Sequence, residues 1–203
     1  MPTRKTDIYV YADWIGLNGP FLVGILSAQQ AKGKKAFYFS YDKSWINTVG
    51  QRLIAPDIHW FTGPQHPVGK ENFGMIMDSM PDSWGRKLMM RKAAQQALDE
   101  DKEVKSLYDI DFLLGVYDKT RMGALRFKLD PDGPFLDNDT MNPTPPWSST
   151  KELQYAASLL ESDRSPKSLK KYLAILIAPG SSLGGARPKA NIIDDDGAVW
   201  IAK

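Results

Sequence analysis

Two lysines and a run of small residues near the carboxyl end have the types and spacing of a phosphate-binding site. Residues 180–188 read GSSLGGARP, Lys189 follows directly, and Lys203 lies 14 residues later. Glycine has no Cβ, so the backbone N–H groups of such a loop can come close to phosphate oxygens. In protein kinases a glycine-rich loop precedes a strand lysine that holds the ATP phosphates. The spacing therefore predicts a nucleotide-phosphate site here, although loops of this composition also serve as plain connections.

Two other phosphate-binding patterns do not fit this loop. The Walker pattern needs a lysine directly after its second glycine, but Ala186 follows Gly185. A helix should also follow a Walker loop or a Rossmann glycine loop, whereas a strand pattern follows here.

The other residues of types that often form catalytic or metal sites have a structural explanation. His59 and His66 lie seven residues apart in a proline-rich stretch, and a metal site there would need a carboxylate such as Asp57. The acidic run 194–196 ends in Asp-Gly, which is typical of a hairpin turn. No G-x-S-x-G pattern for a serine nucleophile is present. We therefore predict exposed histidines, a solvated turn and no metal site.

The block Asp78–Arg86 has a structural explanation as well. Pro81 prevents a helix from continuing, and Asp82 or Ser83 can cap the next one. We expect Arg86 to pair with Asp78 or Asp82.

Hydrophobic periodicity indicates which elements position the loop. Strands are predicted over 7–14, 21–26, 35–41, 123–129, 189–193 and 198–203. Helices are predicted over 84–95, 106–115, 150–162 and 168–178. The first three strands should form an antiparallel sheet over about residues 7–62, and the last two a hairpin turning at 194–197.

These elements predict an α+β fold with three parts. Residues 1–129 form an N-terminal antiparallel β subdomain with central helices, and 130–149, with five of the 14 prolines, form a loop or linker. Residues 150–203 contribute helices, the glycine-rich loop and the β-hairpin. The family resemblance described below makes this last part the start of a kinase-like N-lobe.

Composition narrows the class of protein. The 203 residues are 42% hydrophobic and 25% charged, and cysteine is absent, which excludes disulfides and thiolate metal sites. Neither a signal peptide nor a membrane-length apolar run of about 18 residues is visible, so we expect a cytoplasmic protein. Lys and Arg exceed Asp and Glu by only 26 − 24 = 2, too little to predict nucleic-acid binding from net charge.

Three blocks of this sequence resemble the HipA family of toxin kinases. The first is residues 180–190, GSSLGGARPKA, with 197–203, GAVWIAK. The second is residues 73–86, FGMIMDSMPDSWGR, which is similar to the family stretch DSLPDGWGR. The third is Gly115 with residues 121–127, RMGALRF, similar to the family pattern G-x-x-x-x-GAL-x-F. The blocks follow the family order and span about residues 7–203.

The resemblance implies a two-lobed serine/threonine protein kinase that uses ATP and Mg²⁺, the toxin of a type II toxin–antitoxin system. It makes Lys203 the strand lysine for the ATP phosphates. It assigns to the ATP loop, by motif position, Ser182, Gly184, Gly185, Ala186 and Lys189. Ser182 matches the loop serine that family members autophosphorylate, with Ser181 as the competitor. A phosphate there would repel the ATP γ-phosphate and switch the kinase off.

The resemblance also implies partners. These are a HipB-like helix-turn-helix antitoxin, through which DNA is contacted indirectly, and a protein serine as substrate, on an aminoacyl-tRNA synthetase in known members. The cationic residues Arg86, Lys87, Arg91 and Lys92 could touch nucleic-acid phosphates, but we expect them to form a solvated helix face instead.

The catalytic Asp and the Mg²⁺ ligands of the family follow the strand lysine in a C-terminal lobe. We therefore expect the 203-residue chain to contain no catalytic residues and to be inactive alone. The alternative is a non-catalytic interaction or regulatory module that binds an antitoxin or a partner kinase subunit.

Overall fold

The computed structural model describes residues 4–31, 34–48, 53–136, 150–162, 176 and 185–203. Its six strands are β1 Arg4–Ala12, β2 Phe21–Ala31, β3 Lys34–Tyr41, β4 Leu125–Lys128, β5 Ala190–Ile193 and β6 Val199–Ala202. Its α-helices are α1 Lys43–Thr48, α2 Gly74–Asp78, α3 Ser83–Asp99, α4 Asp109–Leu114 and α5 Thr150–Glu161. A short 3-10 helix covers Asp118–Thr120. The predicted α+β class with an antiparallel sheet is confirmed.

The described chain divides into two compact units that are each discontinuous in sequence. The first comprises Met1–Ser79 and Met122–Leu136, and the second comprises Met80–Arg121 and Asp137–Lys203.

The first unit is built on a four-stranded antiparallel sheet in the order β3-β2-β1-β4. Alternate residues of β1, namely Ile8, Val10 and Ala12, are fully buried, as expected for a strand with one face on a core. β4 joins β1 from more than 100 positions away in sequence, with Tyr9 opposite Lys128 and Ala12 opposite Leu125.

The predicted extension of this sheet to about residue 62 is wrong. Asp42 accepts a hydrogen bond from the backbone N–H of Ser44 at 2.8 Å, and the chain turns into α1. In the described part of 53–73, the sole ladder contact is an isolated bridge between Phe39 and Gln65. The five-residue helix α2, too short to show a period in sequence, begins where Gly74 N–H donates to Asp57 Oδ2 at 3.2 Å.

The second unit packs two helices and a strand around one core. Asp82 caps α3, as predicted, by accepting hydrogen bonds from the backbone N–H groups of Trp84 and Gly85. The buried cluster includes residues of α3, α5 and β5, namely Trp84, Leu88, Leu153, Ala156, Ala157, Leu176, Ala190 and Ile192. The hairpin strand β5 is therefore anchored by apolar burial against α3.

Two predicted segments fall mainly outside the described residues. Of 130–149, a turn is seen at Asp130–Gly133, and Leu136 N–H donates to Phe127 O at 2.8 Å. Of the helix predicted at 168–178, Leu176 alone is described. No helix among the described residues has the length and apolar character needed to cross a membrane.

Candidate phosphate-binding site

The described end of the glycine-rich loop rests on the first turn of α3. The backbone N–H of Trp84 donates to Gly185 O at 3.3 Å, and the Trp84 indole Nε1–H donates to Lys189 O at 3.2 Å. The indole is almost fully buried, so both hydrogen bonds lie at the edge of the core. One tryptophan thus fixes both ends of the segment 185–189.

Lys189 carries a buried positive charge beneath this segment. Its side chain is 6% exposed, and its Nζ lies 3.8 Å from Asp82 Oδ2 in an ion pair. An isolated buried ammonium would be strongly unfavourable, and the nearby carboxylate of Asp82 compensates its charge. Asp82 acts twice, because Oδ1 caps α3 while Oδ2 faces Lys189.

Gly185 allows the loop backbone to lie close to the ammonium group of Lys189. Its φ is +97°, and a Cβ built there would lie 2.9 Å from Lys189 Nζ. Any other residue would have to displace the lysine and adopt a left-handed backbone. A phosphate-binding loop depends on glycine for the same reason, because the absence of a Cβ lets its backbone approach a charged group closely.

The hairpin register relates the two lysines. Ala190 pairs with Ala202 as the last pair of the ladder, so Lys189 and Lys203 each lie one residue beyond it, at the same end of the hairpin. Lys203 is exposed, whereas Lys189 is buried. The open end of the hairpin therefore carries one fixed ammonium and one that solvent and solutes can reach.

A buried amide lies beside the ion pair in sequence. Asn191 is 4% exposed, and its Nδ2 has no hydrogen-bond partner among the described residues. Because side chains alternate along a strand, Asn191 and Lys189 share a face of the hairpin. One buried amide donor is therefore left unsatisfied, within the described residues, on the face of the hairpin that carries Lys189.

The acidic run 194–196 forms the hairpin turn, as predicted. Asp194 Oδ1 accepts hydrogen bonds from the backbone N–H groups of Asp196 and Ala198, and Oδ2 accepts one from Trp200 Nε1 at 2.6 Å. The Trp200 indole, followed by these backbone donors, lowers the pKa of the Asp194 carboxyl. The carboxylate is thus occupied in holding the turn.

The expected pairing of Arg86 with Asp78 or Asp82 is wrong. Arg86 Nη1 instead lies 3.1 Å from Asp109 Oδ1, and Nε donates to Pro81 O at 3.1 Å. The guanidinium also lies over the Phe112 ring, 4.5 Å from its centroid. Asp82 is directed to Lys189, so Arg86 joins α3 to the start of α4.

The other predicted site residues are distributed as follows. Ala186 is exposed in the loop, whereas Ser181, Ser182 and Gly184 lie outside the described residues. His66 Nδ1 lies 3.3 Å from Phe37 O. Within the described ranges, no three His, Asp or Glu side chains cluster in a way that could hold a metal ion.

Sequence reasoning missed Asp82 and Trp84 as parts of this site. Both lie in the second motif block, about 100 positions before the loop. Asp82 was explained there by helix capping alone, and Trp84 only as the first residue of a predicted helix. The signal was the joint presence of two motif blocks, whose contact is visible only in the fold.

The residues present fit the phosphate part of a nucleotide. They combine a glycine backbone at positive φ and an exposed ammonium with a second ammonium that Asp82 holds in place. Comparison of this chain with protein-family models, with curated proteins and with solved structures finds no match.

Proposed function

We propose that this chain carries the ATP-phosphate loop and the strand lysine of a HipA-like serine/threonine protein kinase. The observation that carries the proposal is the approach of Gly185 to the buried Lys189 ammonium, at the end of the hairpin that also carries the exposed Lys203. A glycine backbone bent over one cation and flanked by another favours a ligand with several negative oxygens.

The two lysines have different roles under this proposal. Lys203 is exposed and contacts the ATP phosphates directly. Lys189 is held by the Asp82 carboxylate and positions the loop. By motif position alone, Gly184, Gly185 and Ala186 would supply backbone N–H groups to the phosphates.

Other parts of the proposal rest on the sequence resemblance alone. ATP would be used with Mg²⁺ to phosphorylate a protein serine, on an aminoacyl-tRNA synthetase in known members, and so to arrest growth. Ser182, with Ser181 as competitor, would be the autophosphorylated residue, and a HipB-like antitoxin would be the partner. None of the described residues is assigned to Mg²⁺ or to the catalytic base.

A second candidate is a non-catalytic interaction or regulatory module. Three consecutive large apolar residues of β6, Val199, Trp200 and Ile201, are each about half exposed or more. Such a strand is typical of a surface that another protein covers. This function needs no nucleotide, so nucleotide binding separates the two candidates.

The test is equilibrium binding of Mg-ATP to the wild type, to Lys203→Gln and to Lys151→Gln as a control. Lys151 is an exposed lysine of α5 in the same unit. Loss of a charged hydrogen bond at Lys203 should weaken binding about tenfold or more, from a dissociation constant near 1 mM. Lys151→Gln should bind as the wild type does. Equal affinity of all three proteins, or no binding, would overturn the proposal.

A further inference from the structure

Among the described residues, β1 is paired along the whole of one edge but only along part of the other. It spans nine residues and pairs along its length with β2, but on its other side β4 pairs only with Tyr9–Ala12. After Lys128 the chain leaves the sheet in the turn Asp130–Gly133. In the ranges that the structure describes, no strand therefore neighbours residues 4–8 of β1 on that side.

Alternate residues of a strand direct their backbone N–H and C=O groups to opposite sides, and this alternation shows which residues of β1 face the open edge. Asp13 N–H donates to Ala124 O at 2.8 Å, continuing the β1–β4 ladder. Residues directly opposite in an antiparallel ladder alternate in hydrogen bonding, so the odd residues of β1 direct their N–H and C=O groups to that side. Lys5 and Asp7 accordingly present their backbone groups to the open edge.

The side chains at these positions carry opposite charges. Lys5 Nζ lies 3.0 Å from Asp7 Oδ2, and the two side chains are 48% and 38% exposed. Charged residues on an edge discourage most added strands. They favour a strand that sets a carboxylate opposite the lysine and an ammonium opposite the aspartate.

A second copy of the same edge provides this arrangement in one register. Antiparallel pairing of two such edges must set odd residues opposite odd residues, so the central pair can be Lys5 with Lys5, Asp7 with Asp7, or Lys5 with Asp7. The first two oppose like charges. The third places the two-fold axis at Thr6, pairs each lysine with the other copy's aspartate, and forms four backbone hydrogen bonds.

We propose that two copies of this chain associate through residues 4–8 of β1, antiparallel about a two-fold axis at Thr6. The two four-stranded sheets thereby become one continuous sheet. This interface lies within the first unit and does not depend on the phosphate site.

The test measures self-association by sedimentation equilibrium for the wild type, Lys5→Glu and Asp7→Lys. Each variant leaves side chains of only one charge sign at positions 5 and 7, so like charges face each other across the interface. Each variant should therefore weaken the dimer about tenfold or more. In an equal mixture, the acidic edge of one variant can face the basic edge of the other, so both cross-strand pairs again oppose opposite charges. The mixture should therefore dimerise as the wild type does, which also shows that both variants are folded.

Hydrogen exchange gives a readout that needs no variant. The amides of Lys5 and Asp7 should gain protection as protein concentration rises, whereas the Thr6 amide, which faces β2, should not change. A wild type that stays monomeric at about 1 mM, or a mixture no more associated than its components, would overturn the proposal. Dimerisation unaffected by both variants would locate the contact elsewhere and overturn it equally.

Discussion

The indole N–H of Trp84 donates a hydrogen bond to the backbone carbonyl oxygen of Lys189 at 3.2 Å, between residues 105 positions apart. This bond joins the first turn of α3 to the end of the glycine-rich loop. The segment around Pro81 is therefore more than a helix start, because it also forms the surface on which the loop rests.

Replacement of Trp84 by Phe tests this support. Phe keeps an aromatic ring but leaves Lys189 O without its buried donor, at a cost of about 1–3 kcal/mol together with the lost ring volume. We expect the free energy of unfolding, from urea denaturation followed by circular dichroism, to fall by at least this amount. Trp60→Phe, at a partly exposed ring, should change it by less than about 1 kcal/mol. Equal effects of the two variants would contradict the assigned role of Trp84.

The ion pair between Asp82 and Lys189 is tested by a double-mutant cycle. Asn at position 82 retains a capping oxygen but removes the charge, so Asp82→Asn should destabilise the protein through the buried ammonium. Lys189→Met removes that ammonium while keeping an unbranched stem. Asp82→Asn combined with Lys189→Met should therefore cost less than the sum of the single changes by about 1 kcal/mol or more in urea denaturation. Strict additivity would show that the two groups do not interact.

Gly185→Ala tests the approach of the loop to Lys189. The new Cβ must displace Nζ and also adopt a positive φ, whose cost alone is about 1–2 kcal/mol. Gly197→Ala is the matched control, since Gly197 has φ +81° and open space around its Cβ position. The free energy of unfolding should fall more for Gly185→Ala than for Gly197→Ala. If Gly197→Ala is as damaging or more so, the contact with Lys189 is not close.

The lowered pKa of the Asp194 carboxyl predicts that the hairpin turn is sensitive to acid. Hydrogen bonds from Trp200 and from the turn lower the pKa of its carboxyl in the folded state below the ordinary 3.8. The carboxylate therefore contributes stability above the unfolded pKa, and this contribution is lost as pH falls through the lower folded value. We expect the turn amides of Asp196 and Ala198 to lose protection from exchange below about pH 4. Asp194→Asn should remove this pH dependence, and greater protection of these amides at low pH would contradict the assignment.

Much of the fold follows from local sequence signals. The alternation in β1 and the Asp-Gly turn at 196–197 predict their elements because one face is buried and the turn needs a glycine at positive φ. Asp82 before Ser83 predicts the start of α3 for an equally local reason, the capping of free N–H groups.

Long-range relationships could not be read in the same way. The expected partners of Arg86 were near in sequence, but Asp109 at the start of α4 takes that role because the fold brings α4 beside α3. Likewise, the glycine-rich loop predicts close approach to a charged group without saying which. That Lys189, Asp82 and Trp84 meet depends on the packing of α3 against β5, which no single segment encodes.

The central claim is that the Gly185 loop with Lys203 binds phosphates. Its most direct measurement is the backbone amide spectrum of the chain during titration with Mg-ATP, and in parallel with tripolyphosphate. Both ligands should shift the amides of Gly185, Ala186 and Lys203 at about millimolar concentration, and Lys203→Gln should reduce these shifts. Unchanged amides at these positions, or shifts that Lys203→Gln does not reduce, would contradict the claim.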